Sequence, residues 1–283
     1  MAITAAAGAT INATVFTGRW SSMHIGGTFP PTTATLLTGP TEAILVDAAF
    51  LTDDVSALGN LIADTGKNLT TIYITHGHAD HFFGIATLLR RFPHARALAL
   101  PSVLDYIKDT VAEQTRQWDA MFGDRVVKCD VLPEVLDTST LSIDGVAADV
   151  IEAEQADITP SSIVHVPTTG VVVAGDAVYN EIHPMLGLST PQQWRKWIGT
   201  LDLVQRLNPT MIVAGHKRPD SGDSAVQTML STTRAYIEDF AGACENASTA
   251  DELIAAITDK FPGHGNRWTL EFSARQVLSN RTR

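Results

Sequence analysis

Thr75-His76-Gly77-His78-Ala79-Asp80-His81 places three imidazoles and one carboxylate within six residues. It follows the apolar run Thr71-Ile72-Tyr73-Ile74 and leads into His81 to Phe92, where Phe82, Ile85, Leu88 and Leu89 recur at helical spacing. The motif therefore sits on a turn between a buried strand and a helix, with Asp80 placed to cap that helix. Neutral imidazole and carboxylate suit Zn²⁺ and similar borderline metals, and a strand-to-helix turn aims neighbouring side chains in different directions. His76 and His78 can converge on one ion, while Asp80 and His81 point to a second position nearby. A lone histidine means little, but His-x-His-x-Asp-His after an apolar strand is a specific signal.

Outward from this motif, similar deliveries of polar groups recur. Ala43-Ile44-Leu45-Val46 ends in Asp47, Val171-Val172-Val173-Ala174-Gly175 in Asp176, and Thr210-Met211-Ile212-Val213-Ala214-Gly215 in His216. Each is a short β-branched run that carries a titratable group at its C-terminal end. Helical spacing is expected over 54–64, 81–92, 192–207, 224–241 and 249–261. The chain thus resembles two related halves of alternating strands and helices, with sheets in the middle and a site along one edge. A helical segment over 102–123, with Tyr106, Trp118 and Phe122, interrupts the strand pattern and reads as an insertion: a lid, a pocket wall or an ordinary surface helix. No linker separates independent units, so 1–283 is read as one domain with a C-terminal helical extension over 224–283, patternless after Pro262.

Composition narrows the function. A chain of 283 residues with 45% hydrophobic side chains has enough apolar surface for a large core. Its formal net charge of −11, without a Lys/Arg run, argues against a nucleic-acid partner. Met1 to Thr17 has neither a basic leader nor a continuous apolar stretch, and no later run suits a bilayer, so a cytoplasmic protein without membrane partners is expected. Cys129 and Cys244 lack metal-type spacing and are read as idle thiols.

Taken together, the motif, Asp47, Asp176 and the Ala-Gly-His ending at His216 resemble the metallo-β-lactamase superfamily, which includes glyoxalase II and lactonases; the resemblance runs over roughly Thr17 to Lys217. It implies a four-layer αββα sandwich. It also implies a first metal on His76 and His78, a second on Asp80, His81 and His216, with Asp176 bridging both and Asp47 supporting an imidazole. The chain departs from the family at the third ligand of the first site. Where the family has a histidine, the stretch Glu152-Ala153-Glu154-Gln155-Ala156-Asp157 offers Gln155, a neutral oxygen that would hold a first metal loosely. His165 is read as a core or surface histidine.

The expected activity is zinc-dependent hydrolysis of a small lactone, lactam, ester or thioester by a metal-bound hydroxide, with one or two Zn²⁺ per chain and Asp80 orienting the nucleophile. Tyr179, Asn180 and His183 are candidate substrate-binding donors. Met23, His24 and Phe29 are candidates for the entrance, Lys217 and Arg218 are read as an exposed basic pair, and His94 and His264 are assigned to solvent. Two other readings remain: an iron-dependent enzyme similar to persulfide dioxygenases, and a metal- or small-molecule-binding module without turnover. A nuclease of the same fold fits the acidic chain poorly.

Overall fold

Three of the apolar runs become central strands of two facing sheets, and the fourth, ending at His216, becomes an edge strand. In the computed structural model, which describes residues 10–281, the first sheet has the order β1 (Asn12–Thr17), β4 (Thr33–Thr38), β5 (Glu42–Val46), β6 (Asn68–Ile74), β7 (Arg96–Ala99) and β8 (Glu134–Val135). The second has the order β13 (Met211–Lys217), β12 (Val171–Asn180), β11 (Ser161–Val166), β10 (Val146–Ala153) and β9 (Thr140–Ile143), and β2 (Ser21–Ser22) pairs with β3 (Thr28–Phe29) as a separate ribbon. Most of the stretch Met1 to Thr17, read above for a leader or anchor, lies outside the described residues. Among the described residues no helix is long and apolar enough to cross a membrane.

Both faces of the second sheet are covered over β12 and β13, which is why these two strands read as nearly unbroken apolar runs. Successive side chains point to opposite faces. Val164, Val166, Val171, Val173 and Val213 join the core shared with the first sheet. Ile163, Val172, Ala174, Ile212 and Ala214 join a separate core containing Trp194, Trp197 and Phe240. Those aromatics come from α5 (Pro191–Arg206) and α6 (Val226–Asn246), which with α7 (Ala250–Lys260) and α8 (Arg267–Arg281) cover the outer face. The first sheet carries α1 (Thr52–Asp64), α2 (Ala79–Phe82), α3 (Ile85–Arg91) and α4 (Pro101–Phe122). The architecture is the expected αββα sandwich, and each half contributes a parallel pair, β5 with β6 and β12 with β13.

Three expectations are corrected. The helix expected over 81–92 is two pieces, α2 and α3, split at Gly84. A Cβ on Gly84 would lie 1.9 Å from the Ala48 carbonyl oxygen, so the chain packs there too closely for any side chain. Asp80 does not cap a helix: it lies inside α2, whose first residue, Ala79, donates its N–H to Gln114 Oε1 at 2.8 Å. The tail after Pro262, read as patternless, forms α8.

Candidate metal centre

The two sheets meet where their strand ends carry the motif residues. His76 bridges to Ser161 at the start of β11, and Thr32 bridges to His216 in β13. Close approach depends on glycines. A Cβ on Gly215 would sit 1.9 Å from Asp176 Oδ1, and one on Gly77 would sit 2.4 Å from Tyr106 Cδ1, so these positions let a strand and α4 press onto the site.

Two clusters result: His76, His78, Asp157 and Asp176, and Asp80, His81 and His216, with the ligand atoms of each cluster lying within 4.8 Å of one another. Asp176 also reaches the second cluster, with Oδ1 at 3.2 Å from His81 Nε2 and Oδ2 at 3.4 Å from His216 Nε2. Asp80 Oδ2 lies 3.4 Å from both His81 Nε2 and His216 Nε2. Donors about 2.0–2.1 Å from a tetrahedral ion are separated from each other by about 3.3 Å, which is the spacing found here. In addition His76 Nε2, His81 Nε2 and Asp176 Oδ1 are buried with no hydrogen-bond partner. Buried polar atoms are normally paired, and cations held at the two clusters would pair all three. The donor set therefore fits divalent metal.

The imidazoles are held in the required tautomer. His81 Nδ1 donates to Asp47 Oδ2 at 2.8 Å, and His216 Nδ1 donates to the Pro31 carbonyl at 3.2 Å. His76 Nδ1 donates to Thr75 Oγ1 at 3.0 Å, whose hydroxyl in turn donates to Asp47 Oδ2 at 2.9 Å. Each arrangement leaves the Nε2 lone pair facing the cluster. Asp47 is thus the common anchor, and it also accepts the Thr75 N–H at 2.9 Å. It adopts φ 63°, a left-handed conformation that Asp tolerates better than most residues.

Charge coupling is strong. Burial, reinforced by the nearby His81, holds His76 well below the usual imidazole range, so it is neutral. Burial also opposes protonation of His78, but the Asp157 carboxylate, 2.9 Å from Nδ1, outweighs it and pushes His78 up to about 8. For His81 burial is likewise outweighed, here by Asp80, Asp176 and Asp47, and the shift is upward. Asp176 is lowered well below the carboxylate range because His216 and His81 overcome its burial. Burial and the adjacent Asp176 raise Tyr179, so its hydroxyl stays protonated and donates to Asp176 Oδ2 at 2.8 Å.

The structure brings His76, His78, Asp80, His81, Asp176 and His216 together. Gln155 is buried: its Nε2 donates to the Ala156 carbonyl and its backbone N–H to Thr200 Oγ1, while its Oε1 has no hydrogen-bond partner. Asp157, two residues on, joins His76, His78 and Asp176 in the first cluster. Alternation along an irregular turn cannot be read from composition, and a carboxylate beside a glutamine was the only available signal. His165 lies half-buried in β11.

Of the proposed substrate donors, only Tyr179 lines the cavity, stacked on His216 with ring centroids 5.6 Å apart. Asn180 instead donates to the Gly222 carbonyl, and His183 Nδ1 pairs with the Tyr236 hydroxyl at 2.9 Å. His264 is not in solvent but half-buried against Tyr236 and Phe261. Lys217 is buried rather than exposed, held by both oxygens of Asp223 at 2.9 and 2.7 Å. Phe29 lines the cavity, Met23 is in the core and His24 is exposed.

Sequence reasoning missed Gln114. From α4 it accepts the Ala79 N–H and donates to the Gly77 carbonyl at 2.7 Å, strapping the motif turn from above. It sits 35 residues beyond Ala79, and no local pattern marks it.

Known proteins share this arrangement of sheets. A family model described as the metallo-beta-lactamase superfamily matches residues 27–216, and the chain belongs to that superfamily. A metallo-beta-lactamase family protein from Thermus thermophilus superposes with a TM-score of 0.66 at 18% identity, covering 95% of this chain and 93% of that one. A metallo-beta-lactamase from Pontibacter korlensis gives 0.59 at 17% identity, covering 81% of this chain and 100% of that one. The DIM-1 metallo-beta-lactamase gives 0.61 at 18% identity, covering 80% of this chain and 93% of that one. At such identities these likenesses speak for the fold alone. No match was found among curated proteins.

Proposed function

We propose that the protein is a metal-dependent hydrolase of a small lactone, lactam, ester or thioester, and that His76, His78, Asp157 and Asp176 hold one ion and Asp80, His81, His216 and Asp176 a second. The observation that carries this reading is the convergence of buried, unpaired Nε2 and carboxylate atoms at tetrahedral spacing below a cavity. A bound Zn²⁺ or similar ion supplies Lewis acidity and acidifies a water molecule. The chain supplies the rest. Asp47 keeps His81 and, through Thr75, His76 in the tautomer that presents Nε2. Tyr179 donates to Asp176 Oδ2 and fixes its plane, leaving Oδ1 turned toward His81. Thr32 Oγ1 donates to Asp80 Oδ2 at 2.9 Å, so one carboxylate oxygen is fixed while the group still lines the cavity and orients the attacking water. Phe29 and Trp118 keep bulk water from the acyl carbon.

Asp157 is the reason to favour two ions over one. A carboxylate binds a divalent ion more firmly than the neutral amide of Gln155 would. The test is elemental analysis of purified protein after dialysis against metal-free buffer, paired with hydrolysis of activated esters. About two ions per chain and ester turnover are expected, and His81→Ala or Asp176→Ala should deplete metal and abolish turnover. Full activity with unchanged metal content in both variants removes the assignment. Metal retention without turnover of any ester or lactone would favour a binding module.

A further inference from the structure

The cavity over the two clusters has a volume of about 620 Å³, within the range that holds a small organic molecule. Its floor is His78, Asp80, Asp157, Asp176 and His216, and its walls are largely apolar: Phe29, Trp118, Met121, Met185, Trp268 and Phe272. At the rim stand Ile25, 58% exposed, and Leu188, 47% exposed, two of the five large hydrophobic side chains left exposed among the described residues. Exposed apolar residues gathered at the mouth of an apolar cavity mark a surface that meets an apolar ligand.

The polar members of the wall, Gln114, Gln117, Asn266, Thr269 and Gln276, are all neutral. Among the described residues no lysine or arginine lines the cavity. The cations closest in sequence to its lining are paired with carboxylates: Lys217 with Asp223, Arg218 with Asp220 at 3.5 Å, Arg267 with Glu271 at 2.9 Å, Arg275 with Glu271 at 3.6 Å and Arg116 with Glu113. Three carboxylates on the floor would further offset the charge of bound divalent ions. An anionic group placed against these walls would lose its hydration without gaining a partner, which is strongly unfavourable.

From this arrangement we infer that the protein acts on an uncharged carboxylic ester or lactone with an apolar acyl chain, and that α8 is the element that selects it. Trp268, Thr269, Phe272 and Gln276 come from α8, which lies wholly outside the matched region 27–216, so this wall is no part of the pattern that defines the family. The inference rests on the hydrolase reading for its chemistry: water gives its oxygen to the acyl carbon, the acyl–oxygen bond breaks, and the departing oxygen takes the proton. The selectivity rests on the cavity alone.

The experiment compares three esters with one leaving group on the metal-loaded protein: 4-nitrophenyl acetate, 4-nitrophenyl octanoate and the mono-4-nitrophenyl ester of suberic acid. The last matches octanoate in length but ends in a carboxylate. Each buried methylene is worth about a fourfold gain. With part of the chain buried, kcat/KM for octanoate, corrected for hydroxide reactivity, should exceed that for acetate by at least about 50-fold and that for the suberate ester by at least about 100-fold. Phe272→Ala and Trp268→Ala should each lower the octanoate-to-acetate ratio about threefold to tenfold. Equal rates for the three esters, or preference for the charged one, overturn the inference while leaving the hydrolase reading standing. If no ester turns over, the hydrolase reading falls and the cavity is judged by binding. Saturable quenching of tryptophan fluorescence by octanamide but not acetamide sustains an apolar, uncharged ligand, and equal behaviour of the two amides overturns it.

Discussion

Replacing Asp47 by Asn tests the idea that one buried carboxylate sets the tautomer of the ligating imidazoles. Its oxygens accept from Thr75 N–H at 2.9 Å, from Thr75 Oγ1 at 2.9 and 3.1 Å, and from His81 Nδ1 at 2.8 Å. Asparagine is nearly isosteric, and its oxygen can still accept the Thr75 N–H. Its NH₂ group then faces His81 Nδ1, and two donors cannot share one hydrogen bond. The cheapest response is for His81 to move its proton to Nε2, the atom that faces Asp176 Oδ1 at 3.2 Å. That removes the lone pair a metal needs. Loss of such a supporting partner typically costs about 10–100-fold in metal affinity, or about 1.4–2.7 kcal/mol. The expected result of a competition titration against a chromophoric chelator is a loss of this size for one of two ions, with a smaller effect on the ion held through His76. Circular dichroism should show an intact fold, since the side chain keeps its volume. Unchanged affinity for both ions would refute the reasoning, because it would mean that Asp47 does not govern the tautomer of His81.

Further outcomes follow from the same site. Asp157→Asn should reduce metal content toward one ion per chain, whereas Gln155→Asn should leave it near that of the parent protein; the reverse pattern would return Gln155 to the first site. Metal uptake should release protons, because His78, pushed up to about 8, and His81, held well above the usual imidazole range by Asp80, Asp176 and Asp47, must each lose one to offer a lone pair. Apparent affinity should therefore keep rising with pH through 8, as read by isothermal titration in buffers of different pH. Away from the site, burial, with His264 and Arg267 nearby, pushes His183 down to about 3. The unfolded chain then binds a proton near pH 6.5 that the folded chain refuses, so stability is full above 6.5 and falls by up to about 1.4 kcal/mol per pH unit as pH drops toward 3. Urea unfolding at pH 7 and pH 5 should show this loss for the parent protein and less of it for His183→Asn.

How much of this was legible beforehand varies with the range of the interaction. The strand runs ending at Asp47, Ile74, Asp176 and His216 showed themselves because a strand buried on both faces must be apolar throughout. The motif from His76 to His81 showed itself because its chemistry is packed into one turn. Short-range rules are enough for both. Gln155 was the natural reading of position 155 when only the order of residues was known. The turn after β10 also carries Asp157 to within 2.9 Å of His78 Nδ1, and the direction a side chain takes from such a turn depends on what the turn packs against.

Other decisions belonged to the tertiary structure for the same reason. Gln114 caps the motif turn from a helix far along the chain. Lys217 is buried and held by both oxygens of Asp223, although its place beside His216 suggested a surface charge. The walls of the cavity come from α4, β3 with the residues around it, the segment before α5, and α8, four pieces separated by scores of residues. By itself the sequence determined that two sheets would present imidazoles and carboxylates at their strand ends, since hydrophobic periodicity and local spacing dictate that much. Only the folded chain decided that Asp157 lies with His76, His78 and Asp176 and that, among the described residues, the space above is largely apolar and lined by no lysine or arginine, because those outcomes depend on contacts between segments whose proximity no local pattern encodes.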